Sequence, residues 1–141
     1  MTTLPPAPRP CATCPYREDV PSGVWDESEY AKLPPFDGPT YAQPGQVFLC
    51  HQHDRDSDRA RVCSGWAGCH DMGESLALRI AVASGTMTPE DAETTADYVS
   101  PVPLFTSGAK AAAHGMAEVL YPGEDAAAAI SKIARTRTDL T

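Results

Sequence analysis

Hydrophobic and polar positions divide the 141-residue chain into two unlike halves. From residue 73 onward the pattern is helical. In "GESLALRIAVASG" (73–85), Leu76, Ile80 and Ala83 recur at spacings of four and three, which marks one face of a helix, and Gly85 is placed to end it. "TPEDAETTADYV" (88–99) opens with Thr88 as N-cap, Pro89 at the first helical position and Asp91 three residues after the cap. "SGAKAAAHGMAEVLYPG" (107–123) predicts a helix burying Ala112, Met116, Val119 and Leu120, with His114 on the opposite, solvent face. "EDAAAAISKIARTR" (124–137) begins acidic and ends basic, the order a helix dipole favours.

The first half carries weaker periodicity and more punctuation. Residues 1–10 read as a flexible, proline-rich arm. "VWDESEYAKL" (24–33) predicts a short helix stopped by Pro34 and Pro35. "QVFLC" (46–50) is apolar and β-prone, so a strand delivers Cys50. "HQHDRDSDRAR" (51–61) reads as a solvated loop. Its alternating Asp54, Asp56 and Asp58 do not make an EF-hand, because the sixth and twelfth positions hold Arg59 and Gly65. "VCSGWAGCH" (62–70) is glycine-rich and reads as a tight loop wrapped around something. The expected fold is one mainly α domain over 11–141, with an irregular, metal-stapled lobe (11–72) beside a helical part (73–141). A small α+β arrangement is the alternative.

Charge narrows the classes. A net charge of −8 and a pI of about 4.8 argue against non-specific nucleic-acid binding, which needs surplus Lys and Arg. An acidic surface suits a basic protein partner, which the sequence does not identify. No stretch approaches the roughly 20 apolar residues of a membrane span, and "MTTLPPAPRP" lacks a signal peptide's apolar run. The expected location is the cytoplasm, where thiols stay reduced, and five cysteines make an odd set for a disulfide scaffold.

The chemistry is concentrated in the lobe, which holds every cysteine, both tryptophans and three of the four histidines. The candidate ligands are Cys11, Cys14, Cys50, Cys63 and Cys69, with His51, His53 and His70. Buried free thiols account poorly for Cys11 and Cys14, which lie in a polar, proline-rich stretch. A thioredoxin-like dithiol requires a βαβ pattern that does not follow. Zinc takes four Cys or His ligands in a tetrahedron, and Cys-x-x-Cys supplies one edge. A [4Fe–4S] cubane needs one thiolate per iron and tolerates a close pair plus two isolated cysteines. Pro15 after Cys14 and the glycines of "CSGWAGC" suit such a cluster, so the cluster leads and zinc is the alternative. Haem attachment is excluded by the spacing of Cys63, Cys69 and His70. Arg17 is a candidate to offset thiolate charge, and Trp66 and Trp25 to shield the centre or pack the lobe. Nothing resembles a catalytic triad, a phosphate-binding loop or a paired acid and base. The expected function is therefore non-catalytic, a redox-sensing or partner-binding protein. An electron carrier or enzyme is the further alternative.

At "PCATCPYREDVPSGVW", "FLCHQ" and "VCSGWAGCH" the chain resembles an uncharacterised cysteine-rich family of actinobacteria and their phages. That resemblance covers residues 9–72 and implies Cys11, Cys14, Cys50 and Cys63 as the ligand set, with Cys69 an additional candidate. Locally, Cys11 to Arg17 and Gly23-Val24-Trp25 are similar to WhiB-like iron–sulfur regulators. Those proteins place their other ligands differently and carry a basic tail absent here.

Overall fold

Capping residues set most of the helix starts seen in the computed structural model, which describes residues 2–50 and 58–135. Six α-helices follow one another: α1 (Glu27–Tyr30), α2 (Ser64–Cys69), α3 (Leu76–Ser84), α4 (Pro89–Ala96), α5 (Gly108–Met116) and α6 (Glu124–Ala134). Single 3₁₀ turns occupy Pro34–Asp37, Thr40–Ala42 and Met72–Glu74. The domain is mainly α, as its periodicity predicts. Side-chain oxygens of Asp26, Ser75, Thr88 and Ser107 each accept from a backbone N–H in the first turn of α1, α3, α4 and α5. Each such cap is worth about 1 kcal/mol. Gly85 ends α3 in the left-handed conformation, at φ 80°.

The elements depart from expectation at four places. The stretch 62–70, expected as a loop, contains helix α2. Its glycines do not loosen the backbone; they let it approach its neighbours. A Cβ on Gly65 would strike the Cys14 sulfur and lie 2.7 Å from Tyr16 Cβ, and one on Gly68 would lie 2.8 Å from Leu104. The strand expected over 46–50 does not form among the described residues. Leu49 and Val62 make one isolated antiparallel bridge, and Leu4 and Arg61 one parallel bridge. α3 turns by about one position from its expected face. Ala77, Leu78 and Ala81 are buried while Ile80 is 43% exposed, because nearly every residue of "LALRIAVA" is apolar and period alone leaves the face open. α5 stops at Met116, and Leu120 beyond it is 84% exposed.

His114 is also not a surface residue. It is half-buried, its Nε2 lies 2.7 Å from the Val20 carbonyl oxygen, and its ring is 5.2 Å from Phe105. The α5 face that packs consists of Gly108, Ala111, Ala112 and Gly115, small enough to let the helix close on α1 and on Pro34–Asp37.

The core is aromatic and crosses the boundary between the halves. Tyr16, Trp25, Tyr30, Phe36, Phe48 and Trp66 are buried together with Leu33, Val62, Leu78 and Met87. Burial of each large apolar side chain contributes roughly 1.5–3 kcal/mol. Trp25 packs into this core and donates from Nε1 to the Thr13 carbonyl at 2.8 Å. The segment expected as a flexible arm runs against the body. Thr3 N–H donates to Thr86 O (2.7 Å), Leu4 N–H to Ala60 O (3.0 Å), and Val62 N–H to Leu4 O (2.9 Å). Ser64 and Tyr98 hydroxyls donate to the carbonyls of Ala7 and Pro8. Among the described residues no helix is long and apolar enough to cross a membrane.

Close packing at α5 makes a direct test. A Cβ on Gly115 would strike the edge of the Tyr30 ring. Gly115→Ala is expected to lower stability by about 1–3 kcal/mol. Ala113→Ser, on the exposed face, should change it by less than about 0.5 kcal/mol. Equal urea midpoints for the two variants would contradict this packing.

Candidate metal centre

Two turns and a helix start assemble the thiols. Cys14 N–H donates to Cys11 O (3.0 Å) and Arg17 N–H to Cys14 O (3.1 Å), so 11–17 forms successive turns about Pro15. Arg17 braces them: its guanidinium donates to Pro10 O (3.1 Å) and grips Asp19 through both oxygens at 2.8 and 2.6 Å. Cys63 is the N-cap residue of α2. Cys50 N–H donates to Arg61 O (2.9 Å) and Cys63 N–H to Phe48 O (2.8 Å). In this antiparallel register Cys50 and Cys63 share a face as diagonal neighbours.

The result is a string of thiols ordered Cys50, Cys11, Cys14, Cys63. The Cys14 and Cys63 sulfurs are 3.7 Å apart, and both residues are buried. Cys11 lies in hydrogen-bond contact with Cys14 and Cys50. Those contacts pull the Cys11 thiol well below its usual range, and Cys14, bonded to Cys11 and Cys63 and buried, is pushed up. None of the five cysteines is in a disulfide. Among the described residues no group of three or more Cys, His, Asp or Glu side chains is placed so that it could hold a metal ion.

Cys69 and His70 face elsewhere. They line a cavity of about 330 Å³ on the far side of α2, with Phe36, Asp37, Trp66, Asp71 and Glu74. Burial pushes the Cys69 thiol up to about 12, reinforced by the Asp37 and Cys63 charges. The Tyr16 hydroxyl is 3.2 Å from His70 Nε2, and Asp37 Oδ1 is 3.7 Å from Nδ1. The tautomer with Nδ1–H toward Asp37 satisfies both contacts. Burial lowers the His70 pKa against the opposing pull of Asp37, which favours the neutral ring. Trp66 is buried beside the thiols, its ring 5.5 Å from Phe36, and its Nε1 has no hydrogen-bond partner among the described residues. His51 and His53 lie outside the described residues, as do Asp54 and Asp56.

Tyr16 and Asp37 belong to this neighbourhood and were not singled out by the sequence. Tyr16 carries a signal, since it is the aromatic of the Cys-Pro-aromatic-Arg motif. Asp37 carries none: it reads as a turn residue in "FDGP", yet its carboxylate accepts from Gly108 N–H (2.7 Å) and Ala109 N–H (2.9 Å), 71 and 72 positions away.

With its thiol displaced to about 12, Cys69 stays protonated at neutral pH. Each pH unit below that value cuts its thiolate tenfold. In the folded protein at pH 7, iodoacetamide should alkylate Cys69 at least about a hundredfold more slowly than in the urea-unfolded chain, where thiols titrate near 8.5. The rate should climb steadily through pH 10. Labelling as fast in the folded as in the unfolded chain, read by peptide mass spectrometry, would refute this placement.

Comparison with known proteins agrees with the uncharacterised character of the motifs. No curated protein and no solved structure matches the chain. One family does, over residues 6–137, nearly the whole length and both halves together. The thiol string, the helical half and the cavity between them are thus parts of one family unit, and the chain belongs to a family of unknown function (DUF6283).

Proposed function

We propose that this is a non-catalytic metal protein in which Cys11, Cys14, Cys50 and Cys63 hold a single zinc ion, and that its helical half serves a protein partner. The supporting observation is the 3.7 Å between the Cys14 and Cys63 sulfurs. Two sulfurs at tetrahedral corners, each about 2.3 Å from one zinc, are about 3.8 Å apart. Thiolates of a cubane cap different irons and are spread wider by the cluster between them. That distance supports putting zinc ahead of the cluster that cysteine spacing alone suggests. Four thiolates leave a divalent ion with net negative charge, and the Arg17 guanidinium beside the Cys11 turn offsets part of it.

A [4Fe–4S] cluster is the second reading, with redox sensing as its role. It is favoured by the Gly65 backbone lying against the Cys14 sulfur, an approach that lets amides reach cluster sulfides. With either centre, four protein thiolates leave no open position for substrate, which supports a role other than catalysis. The motif resemblance supports the finer reading of a regulatory protein of actinobacteria or their phages, acting in the cytoplasm.

Metal and acid-labile sulfide analysis on protein purified without oxygen decides among these. The expected result is about one zinc per chain and no sulfide, lost in Cys63→Ser and in Gly65→Ala, whose new Cβ would displace the Cys14 sulfur. About four iron and four sulfide would establish the cluster instead. No metal would leave two thiols in simple contact and end the proposal.

Metal removal should also unfold the lobe, because structural zinc contributes on the order of 10 kcal/mol to folding. A strong chelator is expected to abolish the cooperative thermal transition. A melting temperature unmoved by complete metal loss would show that the lobe does not depend on its metal.

A further inference from the structure

The thiol string is graded from outside to inside. Cys11 and Cys50 are half-buried, whereas Cys14 and Cys63 are 0% and 3% exposed. Cys11 is in contact with Cys50 and Cys14, and the Cys14 sulfur lies 3.7 Å from that of Cys63. This inner contact joins segments 49 positions apart. Both sides of it are held by the backbone: Cys14 N–H donates to Cys11 O, and Cys63 N–H to Phe48 O. Gly65 brings the α2 backbone onto the Cys14 sulfur, where a Cβ would push that sulfur away. A disulfide needs its sulfurs about 2.05 Å apart, so the pair has about 1.7 Å to close.

We propose that peroxide joins Cys14 and Cys63 in a disulfide, and that this bond is the switch by which the protein releases its metal. Oxidation enters at Cys11, the half-buried neighbour of the enclosed pair. Its thiolate attacks peroxide, the O–O bond breaks, and a sulfenic acid and hydroxide form. The Cys14 thiolate attacks the sulfenic sulfur, expels a second hydroxide and forms the Cys11–Cys14 bond. The Cys63 thiolate then attacks the Cys14 sulfur, and Cys11 leaves as thiolate. In sum two sulfurs lose two electrons, and peroxide leaves as two waters after taking two protons from solvent.

Access decides where the sequence ends, because thiol exchange requires a reachable sulfur. The Cys11–Cys14 bond keeps one half-buried sulfur, while the Cys14–Cys63 bond is enclosed. With two of its ligands bonded to each other, a four-thiolate site no longer exists and the metal leaves. Cys69, on the far side of α2, takes no part. Metal release rests on the metal reading above; the disulfide rests on the sulfur contact alone.

The test uses the full chain, purified without oxygen and assayed for metal. It is treated with stoichiometric hydrogen peroxide, quenched in acid, blocked with N-ethylmaleimide in urea and digested without reductant. Mass spectrometry with fragmentation should find Cys14 linked to Cys63, with Cys69 blocked as a thiol. In a chain unfolded in urea before oxidation, loop closure favours Cys11–Cys14 over Cys14–Cys63 by at least about tenfold. Folding should invert that ratio. Released metal, read with a chromogenic indicator, should match the disulfide one for one, and dithiothreitol with added metal should restore the site. Cys11–Cys14 as the stable product of the folded chain, or over-oxidised Cys11 with Cys63 still a thiol, would overturn the proposal. A Cys14–Cys63 disulfide in protein that keeps its metal would overturn the switch. The same disulfide in protein purified without metal would uphold the sulfur chemistry, while ending the metal reading and the release that depends on it.

Discussion

The contact between Gly65 and the Cys14 turn is the constraint on which the architecture rests. α2 is only six residues long, too short to be stable alone, and is held by what it touches. Its N-terminal end carries Cys63 and meets Cys14 and Tyr16 through the missing Cβ of Gly65. Its middle puts Trp66 into the aromatic core, and its end delivers Cys69 and His70 to the cavity. One small helix thus divides a thiol compartment from a carboxylate compartment. Tyr16 belongs to both, packed against Gly65 on one side and bonded to His70 on the other.

Asp37 plays the matching part in the helical half. It satisfies two amides at the start of α5, where the helix dipole favours a negative charge. It also faces His70. The α5 amides are thereby consumed within the protein, and the negative potential of the cavity comes from carboxylates whose internal partners carry no charge. This separates the cavity from the thiol string, where burial and sulfur–sulfur contacts set the protonation states.

The sequence was most legible where one residue decides a local conformation. Thr88 with Pro89, and Gly85, behave as the sequence predicts, because capping and left-handed glycine are local effects. It was less legible where packing decides. Gly65 and Gly68 look like breakers until their neighbours are known, and uniformly apolar α3 hides its own buried face. His114 reads as exposed until Val20, 94 residues away, supplies a carbonyl. The same division holds for the site. Cys11, Cys14, Cys50 and Cys63 stand out by type and spacing, and the structure brings them into one string. Cys69 and His70 are equally conspicuous, but α2 turns them toward Asp37, and nothing near Asp37 in sequence announces that meeting.

The docking of residues 3–8 has a consequence for the order of events at the ribosome. That segment binds Ala60–Val62, Ser64, Thr86 and Tyr98, all synthesised much later. Cys11 and Cys14 emerge first, and Cys63 follows 49 residues after Cys14. At about 5–20 residues per second, the early pair waits roughly 2–10 s for its partner. During that interval two adjacent thiols are exposed with neither the covering segment nor the later sulfurs in place. Nascent chains are therefore most vulnerable to oxidation or to capture of a wrong metal before residue 63 has cleared the exit tunnel.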